Sequence, residues 1–336
     1  MQNGVTFWTE GGSSIGMGHV MRCVHVARAL ESEELPLHFL VNNERPVIER
    51  LNSEALFHIT YPLTGAHASH LSGGVVVIDT KRDVNVQVRH LKEDGKKVVL
   101  IDNRSSVDAD AVVMPTPLYS GGNERGLFSG SDYIIIGDNF RKACTLKTRK
   151  HSLPLKVLVT MGGSDPFDLT AMVLKALHDV EGIEVTVVIG PAFRNAEGDW
   201  PKDEKFRFVR NVKDMAPLMR EAHIGFTAMG TTVFELAYMG VPSVIIGNYA
   251  DDRADLDSIR KLGICLSLGF YMDVKPCHIK EAVDFFRNER AYDDMSINAR
   301  RLTDGKGVSR IAGLVMSLLN GLRSPGEEMK WATKGA

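Results

Sequence analysis

Short β-branched runs alternate with helix-period patterns through almost the whole of this 336-residue chain, and that alternation restricts the fold more than any other feature. Residues 5–9, 37–41, 75–78, 98–101, 111–114 and 133–136 read as strands, with helices at 45–52 and 83–93 and a Gly- and Pro-containing connection at 115–130. These runs are apolar at nearly every position, not at every second one, which suits strands covered on both faces of a parallel sheet. Strand and helix in turn predict an α/β, Rossmann-like half. Residues 141–153 break the pattern: five Lys or Arg and no periodicity mark a linker. The pattern then restarts, with strands at 155–160, 185–189, 206–209, 224–227, 242–246 and 264–268. Helices are expected at 169–178, 214–220, 233–239 and 252–262, and again within 280–322, where Ile311, Leu314, Val315, Leu318 and Leu319 form an apolar stripe. The expectation is two Rossmann-like domains in series, 1–148 and 149–322, facing a central cleft, and a polar tail at 323–336. Open α/β sheets bind ligands at their strand C-termini, so each half offers that end.

The first strand runs into Gly11-Gly12-Ser13-Ser14-Ile15-Gly16-Met17-Gly18-His19-Val20-Met21-Arg22, after which Val20, Cys23, Val24, Ala27 and Leu30 fall on one helical face. Glycine lets backbone approach a ligand closely, and the free N–H groups of a new helix favour an anion. Gly16, Gly18 and His19 are therefore candidate residues. A second turn of this kind is Gly230-Thr231-Thr232, where either threonine is suited to cap the following helix or to donate to phosphate. Glu235, in the first turn of that helix, suits a ribose diol; a plain dipole-stabilised acid is the other reading. A third turn, Gly162-Gly163-Ser164-Asp165-Pro166, supplies N–H donors at a strand end, and Asp165-Pro166 also reads as an ordinary helix start. No P-loop pattern occurs, and nothing specifies a dinucleotide cofactor.

Composition excludes several classes. A net charge of −2 gives no electrostatic footprint for nucleic acid. No apolar run reaches the roughly 18 residues of a membrane span. The start, Met1-Gln2-Asn3-Gly4, carries no basic leader, and a cytoplasmic protein is expected. Cys23, Cys144, Cys265 and Cys277 are scattered, without the spacing of a zinc site or disulfide frame, so neither metal nor cofactor is expected.

Gly16-Met17-Gly18-His19-Val20-Met21-Arg22-Cys23 resembles the Gly-x-Gly-His-x-x-Arg-Cys motif of a family of nucleotide-sugar enzymes. That family includes the UDP-sugar hydrolase of pseudaminic acid biosynthesis and the spore-coat polysaccharide protein SpsG, and is related to MurG, with its GT-B fold. Val99-Leu100-Ile101-Asp102-Asn103 resembles the family's Ile-Asp-Asp strand end. The turns at Gly162 and Thr231 and the stretch Asp304-Gly305-Lys306-Gly307 are similar too. The resemblance implies that Gly230, Thr231 and Thr232 hold a diphosphate with Gly162, Gly163 and Ser164 near it. Glu235 would take the ribose, and the segment 209–212, with Asn211 and Val212, the base. His19 would be the general base, a role that suits an imidazole at neutral pH. Gly16, Gly18 and Arg22 would lie on the sugar and phosphate side. Two stretches depart from the family. Lys81 stands where the hydrolase has Tyr, and Asp252-Arg253 stand where the family carries Asn-Gln.

The implied function is a UDP-aminosugar hydrolase acting in surface-polysaccharide or nonulosonic-acid biosynthesis. One alternative is a glycosyltransferase moving the sugar from a UDP-sugar to a sugar or lipid acceptor. The other is a non-catalytic nucleotide-sugar-binding subunit.

Overall fold

The computed structural model describes residues 4–61, 73–106, 108–119, 126–144, 152–193, 200–210, 212–250 and 252–321. The chain divides into two contact-dense units. One takes the chain up to Gly12, His19–Ile135 and the residues from Gly305 onward; the other takes Ser13–Gly18 and Ile136–Asp304.

The first unit is built on a fully parallel sheet. Its strands are β1 (Val5–Thr9), β2 (Leu37–Asn42), β3 (His58–Tyr61), β4 (Val75–Asp79), β5 (Lys97–Ile101), β6 (Ala111–Met114) and β7 (Leu127–Ser129). Their order is β3-β2-β1-β4-β5-β6-β7. The helices are α1 (Gly18–Leu30), α2 (Arg45–Ser53), α3 (Asn85–Glu93) and α11 (Gly307–Leu319). Every residue of β1 and β4 is buried, as continuous β-branched runs require when both faces are covered. Phe7 stacks on Phe39 with centroids 5.0 Å apart, tying β1 to β2. The chain winds outward from β1 to β3, then returns to β4 and winds the other way. The switch point therefore lies between β1 and β4.

The second unit repeats the plan with strands β8 (Leu155–Thr160), β9 (Ile183–Ile189), β10 (Phe206–Arg210), β11 (Ile224–Ala228), β12 (Ser243–Gly247) and β13 (Cys265–Phe270). They are ordered β10-β9-β8-β11-β12-β13, again all parallel, with the switch point between β8 and β11. Its helices are α4 (Asp138–Ala143), α5 (Leu169–Leu177), α6 (Ala216–Glu221), α7 (Thr231–Tyr238), α8 (Asp252–Arg260), α9 (Pro276–Phe286) and α10 (Glu289–Arg300). Val157, Val159, Val185, Val187, Ile224, Phe226 and Phe286 form the centre of its core.

Both units are the expected α/β, Rossmann-like kind, and several details differ from the sequence reading. Residues 133–136 are not a strand. Ser131–Tyr133 is a short 3-10 turn, and Ile134 and Ile136 are buried without joining the ladder. Gly307, opening α11, comes so close to Ile134 that a Cβ on it would stand 2.1 Å from the Ile134 carbonyl oxygen. Ile134 thus lies against a helix and is not paired in the sheet. The same contact places α11 with the first unit and not with the second domain, as the 149–322 boundary had it. It also gives the Asp304-to-Gly307 stretch a packing role. Strands β3 and β7 were missed: each is short and lies at a sheet edge. The linker read from 141 begins as the last turn of α4; its residues 145–151 and the tail at 323–336 lie outside the described residues.

Candidate active site

The carboxyl end of the first sheet carries a paired polar network. Glu10, just after β1, is buried and accepts from Tyr61 Oη (3.0 Å), Thr80 Oγ1 (2.9 Å) and Arg82 Nε (2.8 Å). The Asn42 amide clasps Gly11 on both sides, accepting from its N–H at 3.1 Å and donating to its carbonyl at 2.7 Å. The entry to the glycine turn is therefore fixed from β2. Gly16 has φ +83°, in the region that favours glycine. Gly18 opens α1, which sets His19 and Arg22 three residues apart on one face.

Those two side chains meet Asp79, the fully buried last residue of β4, at the switch point. Arg22 holds Asp79 in a fork, Nε to Oδ2 at 2.8 Å and Nη2 to Oδ1 at 2.7 Å. His19 Nδ1 lies 2.6 Å from Asp79 Oδ1 and 2.8 Å from Arg22 Nη2. A guanidinium only donates, so the two short contacts compete for the state of Nδ1. Burial would raise the Asp79 carboxyl, but the charge of Arg22 and the hydrogen bonds from His19 and Arg22 outweigh it and hold Asp79 below the ordinary carboxylate range. In the tautomer whose Nδ1 donates to the ionised Asp79, Nε2 of the neutral imidazole keeps its lone pair. His19 is thereby oriented as a base. Burial alone would lower the Arg22 pKa; Asp79 and Asp102 instead push it up, so its charge is permanent. Lys81 joins the same network through Asp102 Oδ2, at 2.9 Å.

The second unit carries a different arrangement at its own switch point. After β8, Gly162 has φ +84° and open space around it. Gly163 is crowded: a Cβ there would stand 2.7 Å from Met17 Cγ and 3.1 Å from the Met17 backbone nitrogen. Met17 belongs by its contacts to this unit, as does Ser14, whose carbonyl accepts from Tyr249 Oη at 3.2 Å. Ser164 is buried beside these glycines. Asp165 accepts from the N–H groups of Leu169 and Thr170, both at 2.8 Å, so it caps α5 from a distance. Pro166 accordingly lies before α5 and is not its first residue.

After β11, the N-cap of α7 is Gly230, and no side chain caps the helix. The expected threonine cap is absent because Thr231 and Thr232 are the first two helical residues, past the position from which a hydroxyl reaches back to the first-turn N–H groups. Those donors are left without a side-chain acceptor, and the space beside Gly230 is open. Glu235 keeps an opening to solvent yet is surrounded closely enough for desolvation to push its carboxyl up to about 7. It has no side-chain partner among the described residues. Val212 is half-buried, and Asn211 lies outside the described residues. Asp252 accepts from the N–H groups of Asn248 and Tyr249, both at 2.9 Å, which fixes the turn into α8. Arg253 lies over the Phe270 ring, 4.2 Å from its centroid, and pairs with Asp273 at 3.5 Å. The structure thus joins His19, Arg22 and Lys81 in one network, and leaves Asp252 and Arg253 engaged with their own neighbours.

No protein-family model matches the chain. The spore coat polysaccharide biosynthesis protein SpsG of Bacillus subtilis is 25% identical over 347 residues, covering 94% of this chain and 98% of its own. Among solved structures, MurG of Acinetobacter baumannii has a TM-score of 0.67 at 16% identity, covering 94% of this chain and 99% of its own. This chain is similar to SpsG over nearly its whole length and shares the two-domain fold of MurG. Spinosyn rhamnosyltransferase SpnG, solved with thymidine diphosphate, has a TM-score of 0.66 at 13% identity over 94% and 99% of the two chains.

Strand β12 ends at Gly247. The residues that directly follow it are Asn248 and Tyr249, not Asp252 and Arg253. Asn248 is buried, and its Oδ1 has no partner among the described residues. Asn248, Asp79 and Asp102 are the residues that the sequence reading did not single out as a site. The available signal was position: Asp79 ends a β-branched strand and Asp102 follows one. Among the described residues, no group of three His, Cys, Asp or Glu side chains is arranged to hold a metal, and no helix is long and apolar enough to cross a membrane.

Proposed function

We propose that this SpsG-like protein is a glycosyltransferase that uses a nucleotide-linked sugar, with a UDP-aminosugar as donor, in polysaccharide biosynthesis. The observation that carries the reading is the His19–Asp79 pair, which leaves Nε2 of a buried, oriented imidazole as a proton acceptor. Nε2 takes the proton of an acceptor hydroxyl. The acceptor oxygen forms a bond to the anomeric carbon, the bond from that carbon to the diphosphate breaks, and the nucleoside diphosphate leaves with the electron pair. The uncapped first turn of α7, with the N–H groups at Gly162 and Gly163, suits the charge that develops on the leaving diphosphate. The Glu235 carboxylate takes the ribose diol. The relative's printed role, spore coat polysaccharide biosynthesis, and the transferases that share the fold support transfer over hydrolysis.

Hydrolysis is the second reading, because the same base acts on water without any acceptor, and the Gly-x-Gly-His-x-x-Arg-Cys stretch resembles that of a hydrolase. The test is single-turnover release of UDP from a panel of UDP-aminosugars, with and without acceptor extract. Release that needs the extract supports transfer. Equal release in buffer alone moves the protein to the hydrolases. UDP binding without release under either condition overturns both and leaves a binding subunit.

A further inference from the structure

The network around His19 extends outward through two residues that the base itself never touches. Asp102 follows β5 with φ +53°, in the left-handed region where Asp and Asn are tolerated better than other side chains. Its N–H donates to Val113 O at 2.8 Å, which locks that conformation to β6. One carboxylate oxygen, Oδ2, takes both Arg22 Nη1 at 3.2 Å and Lys81 Nζ at 2.9 Å. Asn103, the next residue, is buried and donates from Nδ2 to Thr80 O at 2.6 Å and to Arg82 O at 2.8 Å. Those two carbonyls flank Lys81. Asn103 therefore holds the backbone that carries Lys81, while Asp102 holds its ammonium.

The Lys81 side chain is 67% exposed, and an ion pair that open contributes little to stability. Yet its position is fixed from both sides. The charges also alternate inward, from Lys81 through Asp102 and Arg22 to Asp79, which meets His19. Two other ionisable groups lie near this series of charges. Burial pushes the Cys23 thiol up and keeps it neutral, and Arg82 is engaged by Glu10.

We propose that Asp102 and Lys81 are positioning residues that act through Arg22 and Asp79 to set the proton affinity of His19, with opposite signs. Asp102 adds a negative charge that favours the imidazolium; Lys81 adds a positive charge that opposes it. The inference rests on the reading of His19 as the base, and it addresses how that base is matched to its working pH. It also gives a function to the residue at which this chain departs from the hydrolase pattern: a lysine in that place tunes the base.

The test is an NMR titration of the 15N-labelled His19 imidazole in the full chain, assigned with His19→Gln, in wild type, Asp102→Asn and Lys81→Met. Asparagine is well tolerated at a left-handed position, and Lys81 is on the surface, so both variants are expected to fold. Asp102→Asn lowers the His19 midpoint by about half to one pH unit, and Lys81→Met raises it by about a quarter to half a unit. The pH–rate profile moves in the same directions. Shifts of the same sign in the two variants, or less than about 0.2 unit in Asp102→Asn, overturn the proposal. The titration needs no substrate. The proposed transfer reaction therefore fails separately, by absent turnover with the midpoints displaced as stated.

Discussion

The two switch points are built alike and charged differently. In the first sheet, Asp79 is wholly buried and is met by His19 and Arg22, and Glu10 is met by Tyr61, Thr80 and Arg82. In the second, the Glu235 carboxyl has no partner among the described residues, α7 has no side-chain cap, and Asn248 Oδ1 is buried without an acceptor's usual donor. A satisfied network is rigid and holds one side chain in one state. Unsatisfied groups at a strand end instead carry a desolvation cost that a ligand relieves. Under the proposed function the contrast is a division of labour, with chemistry at the first switch point and binding at the second.

The contrast is broken most severely at Asp79. Asp79→Ala leaves the buried Arg22 guanidinium without its fork and costs about 3–5 kcal/mol, read from the urea midpoint at pH 7. The Asp79 contribution is present above the ordinary carboxylate pKa and is lost as pH falls through its depressed folded value, so the variant also loses the acid limb of the wild-type stability profile. A smaller loss, about 1–3 kcal/mol, is expected for Gly307→Ala, because the new Cβ meets backbone and not a flexible side chain. That variant asks whether the stiffness of the first unit extends to its last helix.

Glu235→Gln moves stability the other way. The folded carboxyl titrates at about 7 against an ordinary 4.5, so the folded state holds a proton that the unfolded state has lost across that window. Wild-type stability therefore falls as pH rises from about 4.5 to about 7, and the glutamine variant is more stable at neutral pH by about 1–3 kcal/mol. Hydrogen bonds from a diol favour the ionised form. UDP affinity in the wild type accordingly rises as pH passes through about 7, and this dependence disappears in Glu235→Gln; calorimetry at three pH values reads both. The smallest effect is expected at Arg253, whose guanidinium is engaged with Phe270 and Asp273: Arg253→Ala leaves UDP affinity within about two-fold, a change worth under half a kcal/mol.

Much of this architecture is legible in the sequence, for identifiable reasons. Runs such as Val75 to Ile78 are β-branched at each position and can only be covered strands, and the break at Arg141 falls near the change of unit. Strands β3 and β7 escape notice because an edge strand of three or four residues carries partly exposed side chains and little apolar signal. Ile134 misleads for the opposite reason: it is apolar and buried, but it lies against the start of α11, far along the chain, and not in the ladder. At the site, His19 and Arg22 are legible from the glycine turn that precedes them. Their carboxylate partners are not, since Asp79 and Asp102 lie 57 and 80 positions from Arg22 and meet it only through the parallel register. The threonine cap fails by a shift of one residue in the start of α7.

The division of labour is tested most directly by crossing two variants against two readouts, donor turnover with acceptor and UDP affinity, for His19→Ala and Glu235→Gln above pH 7. The account predicts that His19→Ala loses about 100- to 10,000-fold in turnover while its UDP affinity stays within about two-fold. It predicts that Glu235→Gln loses about ten-fold in UDP affinity, the scale of a charged hydrogen bond, and keeps turnover at saturating donor. A His19→Ala protein that turns over at the wild-type rate, or that loses UDP affinity as deeply as Glu235→Gln, contradicts it.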